Sequence, residues 1–215
     1  MKEKADSINL KQKAYLFIIE MIQKAEIRPG DTIAEQSISK KLGISRTPIR
    51  EALNALAQEG VVDLIPNRGA SLKVPTFKEI WEIYQIRENL EPLAAALCID
   101  NFSDTELEMH RQNIIEYTKN PTPILLEACD EFHDKVILLC GNEYMINILK
   151  KLRLVIRRLQ MYSEKKPGRI QRSIVEHERI LNAISKRDGQ EASLKMKEHI
   201  ISMRDSTLNL FKDAH

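Results

Sequence analysis

The sequence predicts a mainly α-helical protein, in which an N-terminal winged helix-turn-helix with a small β-hairpin wing is followed by a C-terminal all-α helical bundle. Two observations lead to this prediction. Up to Pro75, helical segments, a tight turn and two strand-like segments follow one another in that order. After Pro75, every long segment has helical periodicity and no stretch resembles a strand. We therefore expect two domains, residues 1–75 and 76–215.

The first two helices are delimited by strong breakers. Apolar residues recur at helical spacing over about residues 8–25, and Arg28-Pro29-Gly30-Asp31 then ends that helix. A short second helix is expected over residues 35–42, with Gly43 as its C-cap. These elements supply the first half of a helix-turn-helix.

The third helix and the wing complete the predicted first domain. Ser45 is a good N-cap, and the helix it begins should run to Glu59. Residues 61–65 and 71–74 are rich in β-branched and apolar side chains, and the turn at 66–69 separates them. This pattern predicts a two-stranded hairpin.

The second domain consists of six predicted helices with short connections. Pairs containing Pro, Gly, Asn or Asp separate most of them, and Ser103 followed by Glu106 is a capping-box pattern. The helices are expected over residues 77–101, 103–119, 124–140, 144–163, 169–187 and 190–212. Six such helices in succession indicate a bundle.

Composition excludes several classes of protein. Charged residues make up 30% of the 215 residues and hydrophobic ones 43%, and no apolar run is long enough for a transmembrane helix. The polar start lacks the apolar core of a signal peptide, so we expect a cytoplasmic protein with no membrane partner. Three cysteines without a CxxC pair are interpreted as reduced packing residues. The first 75 residues carry a net charge of +3 and the remainder −1, which indicates separate tasks for the two domains.

The start of the third helix has the chemistry of a DNA-reading element. In a helix-turn-helix, the N-terminal residues of the second helix of the pair enter the major groove. Arg46 and Arg50 lie four residues apart on one helix face, and an arginine fork can bind guanine O6 and N7 or clasp a phosphate. Thr47 is short enough to reach a base or phosphate, and the free backbone N–H groups after Ser45 attract phosphate.

Four further residues complete the predicted DNA-binding set: Gln36, Pro48, Arg68 and Gly69. Arg68 stands at the wing tip, where it could enter the minor groove, and the neighbouring glycine permits close approach. A single exposed arginine is usually only a solvated side chain. Arginines at positions 46, 50 and 68 within a complete winged-helix layout favour double-stranded DNA as the partner.

Three of the five histidines lie in apolar stripes of predicted helices. His133, His177 and His199 belong to three different helices, so a bundle should direct all three imidazoles inward, whereas His110 is expected to face the surface. One histidine on an apolar face is usually a hydrogen-bonded core residue. Three that converge suit Zn²⁺ or a similar divalent ion.

The sequence resembles the GntR superfamily in its first domain and the FCD effector domain in its second. The residues that carry the first resemblance are Ile27–Gly30, Ile33–Glu35, Leu42–Leu53, Leu56, Gly60–Val62 and Asn67–Gly69, of which the run Ser-Arg-Thr-Pro-Ile-Arg-Glu-Ala-Leu at 45–53 is highly specific. Those that carry the second are Ile83–Glu91, Phe132-His133, Gly141-Asn142, His177 and His199. The resemblance implies a homodimer, a palindromic operator and a response to a small carboxylate metabolite.

The resemblance also implies a metal site with three histidines and one acidic ligand. The three histidine positions match, but Cys129 stands where the family usually has Asp, four residues before His133. Asp130, three residues before His133, shares the same helix face and is the preferred fourth ligand, with Cys129 as the alternative. Zinc is the expected ion, with nickel or manganese as alternatives.

Arg87 lies within the run most similar to the FCD domain, where an arginine commonly faces the effector. A buried guanidinium suits a carboxylate ligand, so Arg87 is the predicted effector-binding residue. A structural salt bridge with Glu91, four residues on, is an equally good interpretation of the sequence.

Two other functions compete with that of a ligand-responsive regulator. One is a constitutive dimeric DNA-binding protein whose bundle is only structural. The other is a metal-dependent hydrolase, since three histidines and a carboxylate can activate water. No second carboxylate is placed as a general base, and the sequence contains no nucleophile elbow or phosphate loop, so we expect a regulator and not an enzyme.

Overall fold

The computed structural model describes residues 2–66, 68–119, 123–163 and 168–213, and it describes side chains for 10–66, 68–119, 131–161 and 168–210. It confirms the predicted fold class. The chain forms two compact units, one of Met1–Thr76 with Leu154–Met161 and one of Phe77–Arg153 with Tyr162–His215. The short segment Leu154–Met161, which the sequence assigns to the second domain, contributes Leu154 and Met161 to the buried core of the first unit.

The first unit has three helices and three short strands among its described residues. In chain order they are α1 (Lys2–Gln23), β1 (Thr32–Ile33), α2 (Glu35–Leu42), α3 (Arg46–Gln58), β2 (Val62–Ile65) and β3 (Gly69–Leu72). The apolar stripe of α1, with Ala14, Ile18 and Ile22 fully buried, packs on the stripe of α3 that carries Ile49 and Leu53. Apolar residues at helical spacing therefore build the core that supports α3.

The wing is a three-stranded antiparallel sheet in the order β1-β3-β2. Strand β3 pairs with β2 as the predicted hairpin, and it also pairs with β1 in a register that places Thr32 opposite Ser71. The sequence does not predict β1, because a two-residue strand shows no alternation. A hydrogen bond of 2.7 Å from Gly30 N to Leu72 O extends this edge.

The turn between α2 and α3 is closed by local hydrogen bonds. Gly43 adopts a left-handed conformation with φ 66°, and its N–H donates to Ser39 O at 2.9 Å. The Ser39 hydroxyl donates to Ile44 O at 2.7 Å. A residue with a side chain is disfavoured at this φ, so glycine allows the chain to reverse between the two helices.

The second unit is helical throughout its described residues. Its helices are α4 (Phe77–Leu97), α5 (Asp104–Lys119), α6 (Pro123–Leu139), α7 (Glu143–Ser163, of which Leu154–Met161 belongs to the first unit), α8 (Arg169–Ser185) and α9 (Gly189–Asp213). Helix α9 packs along both α4 and α8, and α6 packs on α4 and α5. Among the described residues, no helix combines the length and apolar character that a membrane span requires.

Candidate functional site

The three predicted histidines meet inside the second unit. His133 comes from α6, His177 from α8 and His199 from α9, and each is at most 4% exposed. The Nε2 atoms of His133 and His177 are 3.1 Å apart, those of His133 and His199 are 3.0 Å apart, and those of His177 and His199 are 3.3 Å apart. These residues, called the histidine triad below, present three nitrogens to one point.

Two of the three imidazole rings form a hydrogen bond with a carboxylate through Nδ1, on the side of the ring away from the other histidines. Glu91 accepts a hydrogen bond from His133 Nδ1 at 2.7 Å, and Glu176 accepts one from His199 Nδ1 at 2.7 Å. A ring that donates through Nδ1 leaves a lone pair on Nε2 when it is neutral. If both rings are in this neutral form, two such lone pairs face each other at 3.0 Å with no proton between them. A cation at the centre of the triad would remove this repulsion.

The spacing of the triad suits a divalent metal ion. With metal–nitrogen bonds of about 2.0–2.1 Å, ligands are separated by about 3.3–3.4 Å in a tetrahedral site and about 2.8–3.0 Å in an octahedral one. The three Nε2 separations of 3.0–3.3 Å fall within that span. A carboxylate behind a ligating histidine is also the usual arrangement around protein-bound metals. The triad could therefore hold a metal ion.

The surroundings of His177 and His199 favour the neutral imidazole, which is the form that binds a metal. Burial lowers the pKa of His177 well below its usual range, and the neighbouring His199 and His133 lower it further. Burial, followed by the influence of His133, does the same to the pKa of His199. Burial would raise the pKa of Glu91, but Arg87 and His133 outweigh it and hold that pKa far below its usual range.

Arg87 is fully buried and forms the salt bridge that the sequence offers as an alternative. Its Nε donates to Glu91 Oε1 at 2.5 Å and its Nη2 donates to Glu91 Oε2 at 3.4 Å. The same Glu91 carboxylate binds His133, so Arg87 is linked to the triad through Glu91. Its predicted contact with an effector stays a prediction.

The side chains of Asp130 and Cys129 lie outside the described ones, and the choice of fourth ligand stays open.

Two residues near the triad are not predicted by the sequence. Glu176 binds His199, and Arg169 donates through Nη2 to Glu176 Oε2 at 2.8 Å. Glu176 immediately precedes His177, but its partner histidine comes from α9. The only sequence signal is the seven-residue spacing of Arg169 and Glu176, which puts them on one face of α8.

The expectation that His110 faces the surface is wrong. It is 5% exposed, and its ring makes edge contacts with Phe102 and Phe132, at centroid distances of 5.9 and 5.6 Å. The reason is that Phe102, in the connection after α4, folds back over α5. His110 is therefore a buried histidine outside the triad.

Six of the predicted DNA-binding residues are exposed in the first unit. They are Gln36, Ser45, Arg46, Thr47, Arg50 and Arg68. Ser45 occupies the N-cap position of α3, so the first-turn N–H groups of that helix begin next to Arg46 and Thr47. Arg68 lies in the turn between β2 and β3, and Asn67 lies outside the described residues.

Glu35 is a further residue of this surface that the sequence does not single out. Arg50 Nε donates to both Glu35 oxygens, at 2.8 and 2.9 Å. Arg50 keeps 59% of its side chain exposed while that of Glu35 is 12% exposed. A cavity of about 240 Å³ adjoins the pair, between α3 and the wing. Glu35, at the start of α2, thus holds the Nε end of the Arg50 guanidinium in place.

Pro48 and Gly69 differ from the other predicted DNA-binding residues because both are buried. Pro48 fills the first turn of α3, where its missing N–H costs nothing. Gly69 has φ +112°, and a Cβ atom there would stand 2.2 Å from Ile33 O. Both residues have a structural role in the first unit, and their predicted part in DNA binding stays a prediction.

The first unit carries a helix-turn-helix with exposed arginines and the second a buried histidine triad, a combination typical of a DNA-binding regulator. Family models match in the same two places: Bacterial regulatory proteins, gntR family, over residues 10–72, and FCD domain over residues 82–202. The chain belongs to the GntR family of transcriptional regulators and carries an FCD domain, and it is not an enzyme. GntR regulators bind DNA, and FCD domains bind small-molecule effectors and can bind metal.

Relatives of known sequence are regulators of the same kind. The chain is 29% identical over 187 residues to the uncharacterised HTH-type transcriptional regulator YdhC of Bacillus subtilis, a match covering 85% of this chain and 82% of the relative. It is 28% identical over 192 residues to the Nta operon transcriptional regulator of Aminobacter aminovorans, covering 87% and 89%.

Solved structures share the fold. McbR/YncC of E. coli has a TM-score of 0.77 at 17% identity, over 96% of this chain and 99% of that one. A metal-free FCD domain of another transcriptional regulator has a TM-score of 0.58 at 23% identity, over 65% of this chain and 99% of that one. At these identities the likeness supports the fold alone.

Proposed function

We propose that this regulator binds a palindromic operator as a homodimer, and that a divalent metal ion together with a small carboxylate effector in the FCD domain controls this binding. The geometry of the histidine triad is the observation that carries the proposal. Three buried Nε2 atoms lie 3.0–3.3 Å apart, and two of the rings are held by carboxylates through Nδ1.

The proposed division of labour follows from the chemistry of the donor set. His133, His177 and His199 would hold the ion, with Asp130 as the proposed fourth ligand. Zinc is the expected ion because three imidazoles and one carboxylate suit it, and nickel or manganese are the alternatives. The bound ion would supply a positive centre that attracts a carboxylate. Arg87 would provide a further cation beside it.

The proposed DNA contacts use the six exposed residues of the reading surface. Arg46 and Arg50 would bind guanine edges or phosphates in the major groove, and Thr47 would contact a base or phosphate from the first turn. Arg68 would enter the minor groove from the wing. Gln36 and Ser45 would contact the backbone at the starts of α2 and α3.

An exposed apolar stripe on α4 supports the homodimer. Ile86, Leu93 and Leu97 are 36%, 46% and 43% exposed, and their spacing of seven and four residues places them on one face of the helix. A continuous apolar face of this kind is typical of a surface that another subunit covers. A self-complementary contact through this face would generate the two-fold symmetry that a palindrome requires.

The metal part of the proposal is tested by measuring bound metal in the purified full-length protein by mass spectrometry. Wild type is expected to hold close to one ion per chain, and His177→Gln to lose it. His110→Gln is the matched control, since His110 is also buried in the second unit but lies outside the triad. Equal metal content in wild type and His177→Gln would refute the site.

The DNA part is tested by operator binding with and without a chelator. Arg46→Ala is expected to weaken binding by about 1–3 kcal/mol and to lower its salt dependence. Arg172→Ala removes the same charge from an exposed position on α8 and serves as the control. Binding that responds to neither chelator nor carboxylates would instead favour a constitutive DNA-binding protein with a structural bundle.

A further inference from the structure

Two similar chains of buried groups lead away from the histidine triad. On one side, His133 Nδ1 binds Glu91 at 2.7 Å and Glu91 binds Arg87 at 2.5 Å. On the other side, His199 Nδ1 binds Glu176 at 2.7 Å and Glu176 binds Arg169 at 2.8 Å. Each chain runs from histidine to carboxylate to guanidinium, and the two meet where His133 and His199 face each other.

Both guanidiniums retain buried nitrogens without a hydrogen-bond acceptor among the described residues. These nitrogens are Nη1 of Arg87 and both Nε and Nη1 of Arg169. The side chains of Arg87 and Arg169 are only 1% and 2% exposed, so water does not readily satisfy them. Buried charged donors are costly to leave unpaired, and a site with several of them calls for an anionic ligand.

The net charge near the triad also favours an anionic ligand. Arginine remains protonated, so Arg87 and Arg169 supply two positive charges, which the Glu91 and Glu176 carboxylates cancel. A divalent ion would add two more positive charges in a buried site. With Asp130 as a ligand one would remain, and without it two would. A bound anion would compensate this charge in either case, and the unpaired donors on two different arginines could bind more than one anionic group.

Arg87 and Arg169 act on the same neighbourhood. Arg87 is linked to His133 through Glu91, and Arg169 is linked to His199 through Glu176, while the Nε2 atoms of His133 and His199 are 3.0 Å apart. The Arg87 guanidinium carbon lies 5.1 Å from the centre of the Tyr84 ring. The two cations therefore flank one part of the bundle.

We propose that Arg169 is a second anion-binding residue of the effector site, and that the effector class is a small dicarboxylate. One carboxylate would lie on the ion and Arg87, and the other on the unpaired N–H groups of Arg169. This inference rests on the proposed function, because it requires an ion in the triad. Arg169 is the first residue of α8, and its salt bridge with Glu176 uses only one of its guanidinium nitrogens. The inference assigns a role to the others.

The test is the affinity of the zinc-loaded full-length protein for acetate, malonate, succinate and glutarate, measured by calorimetry. For wild type, at least one diacid is expected to bind about tenfold or more tightly than acetate, since a charge-assisted pair contributes at least that much. In Arg169→Met this preference should fall about tenfold, while acetate affinity changes by less than about threefold.

Two further variants separate a ligand role from a structural one. Arg169→Lys keeps a cation beside Glu176 and should retain metal, while it loses part of the diacid preference because an ammonium lacks the guanidinium fork. Arg172→Met, three residues along the same helix and exposed, should bind all four acids as wild type does. If Arg169 only supports Glu176, acetate and diacid affinities fall by the same factor, and the inference is wrong.

The remaining outcomes are also decisive. A wild-type protein that binds metal but shows no preference for any diacid overturns the dicarboxylate assignment and leaves the metal proposal intact. A wild-type protein that takes up no zinc overturns the proposed function, and the inference falls with it. Metal content measured in parallel on each variant distinguishes these two results.

Discussion

Replacing Glu91 by glutamine tests the buried network behind the triad. Glu91 is 1% exposed, and it accepts hydrogen bonds from Arg87 at 2.5 Å and from His133 at 2.7 Å. Glu91→Gln keeps the volume of the side chain but leaves the Arg87 charge without a buried counter-ion. Removal of one partner from a buried ion pair costs about 3–5 kcal/mol, a large fraction of the roughly 5–15 kcal/mol that stabilises a domain.

The single tryptophan makes the assay specific for the second unit. Trp81 lies on α4, and it is 44% exposed, so its fluorescence should report unfolding of the bundle in urea. The measurement is made with a chelator present, so that metal binding does not contribute to stability. Glu82→Gln is the matched control, because its pair with Lys78 has the same four-residue spacing on α4 but is exposed. That change should cost less than about 1 kcal/mol.

A double variant separates stability from metal binding. Arg87→Met combined with Glu91→Gln removes both charges, and it should recover most of the lost free energy of unfolding. Its metal affinity should stay about 10–100-fold below that of wild type, because His133 no longer donates to a carboxylate. A Glu91→Gln variant within about 1 kcal/mol of wild type would refute the argument, since it would mean that Arg87 needs no buried counter-ion.

Three other predictions concern the wing, the reading head and pH. Gly69→Ala should abolish operator binding and lower the free energy of unfolding by several kcal/mol, because its Cβ would stand 2.2 Å from a backbone oxygen. Gly60→Ala, with open space around it, should cost only about 1–2 kcal/mol. Calorimetry measures the stability of both variants, and gel shifts measure their operator binding. Glu35→Gln should weaken binding to the operator but strengthen binding to unrelated DNA, because it removes a negative charge and releases Arg50; a uniform gain on both DNAs would contradict a positioning role. In metal-free protein, the free energy of unfolding should fall as the pH drops below about 6.5. The reason is that burial lowers the folded-state pKa of His177 and His199, so the unfolded chain takes up protons that the folded chain does not. A free energy of unfolding in urea that stays constant between about pH 8 and 5 would contradict this.

Periodicity and turn residues predict the helices of this chain well. Each of the nine helices of the described ranges overlaps a predicted segment, since long apolar stripes leave little ambiguity. The strand β1 is missed because two residues carry no periodic signal. The contribution of Leu154–Met161 to the core of the first unit is missed as well, since the helical pattern of α7 continues unchanged through it.

The candidate site divides into a predictable and an unpredictable part. The triad is predictable because each histidine lies within the apolar stripe of its own helix, and a bundle turns such stripes inward. The partners of the triad are not, because Glu176 reaches a histidine of another helix and Arg169 a carboxylate two turns away. His110 shows the same limit, since its aromatic neighbours come from outside its own helix.

The three rings of the triad are not held equally. His133 and His199 each have a carboxylate at Nδ1, but His177 Nδ1 has no hydrogen-bond partner among the described residues. Rotation of the His177 ring about its Cβ–Cγ bond therefore breaks no hydrogen bond at Nδ1. If the proposed ion is bound, this ring would be the first of the three to release it, and the ease of that release would govern the lifetime of the occupied site.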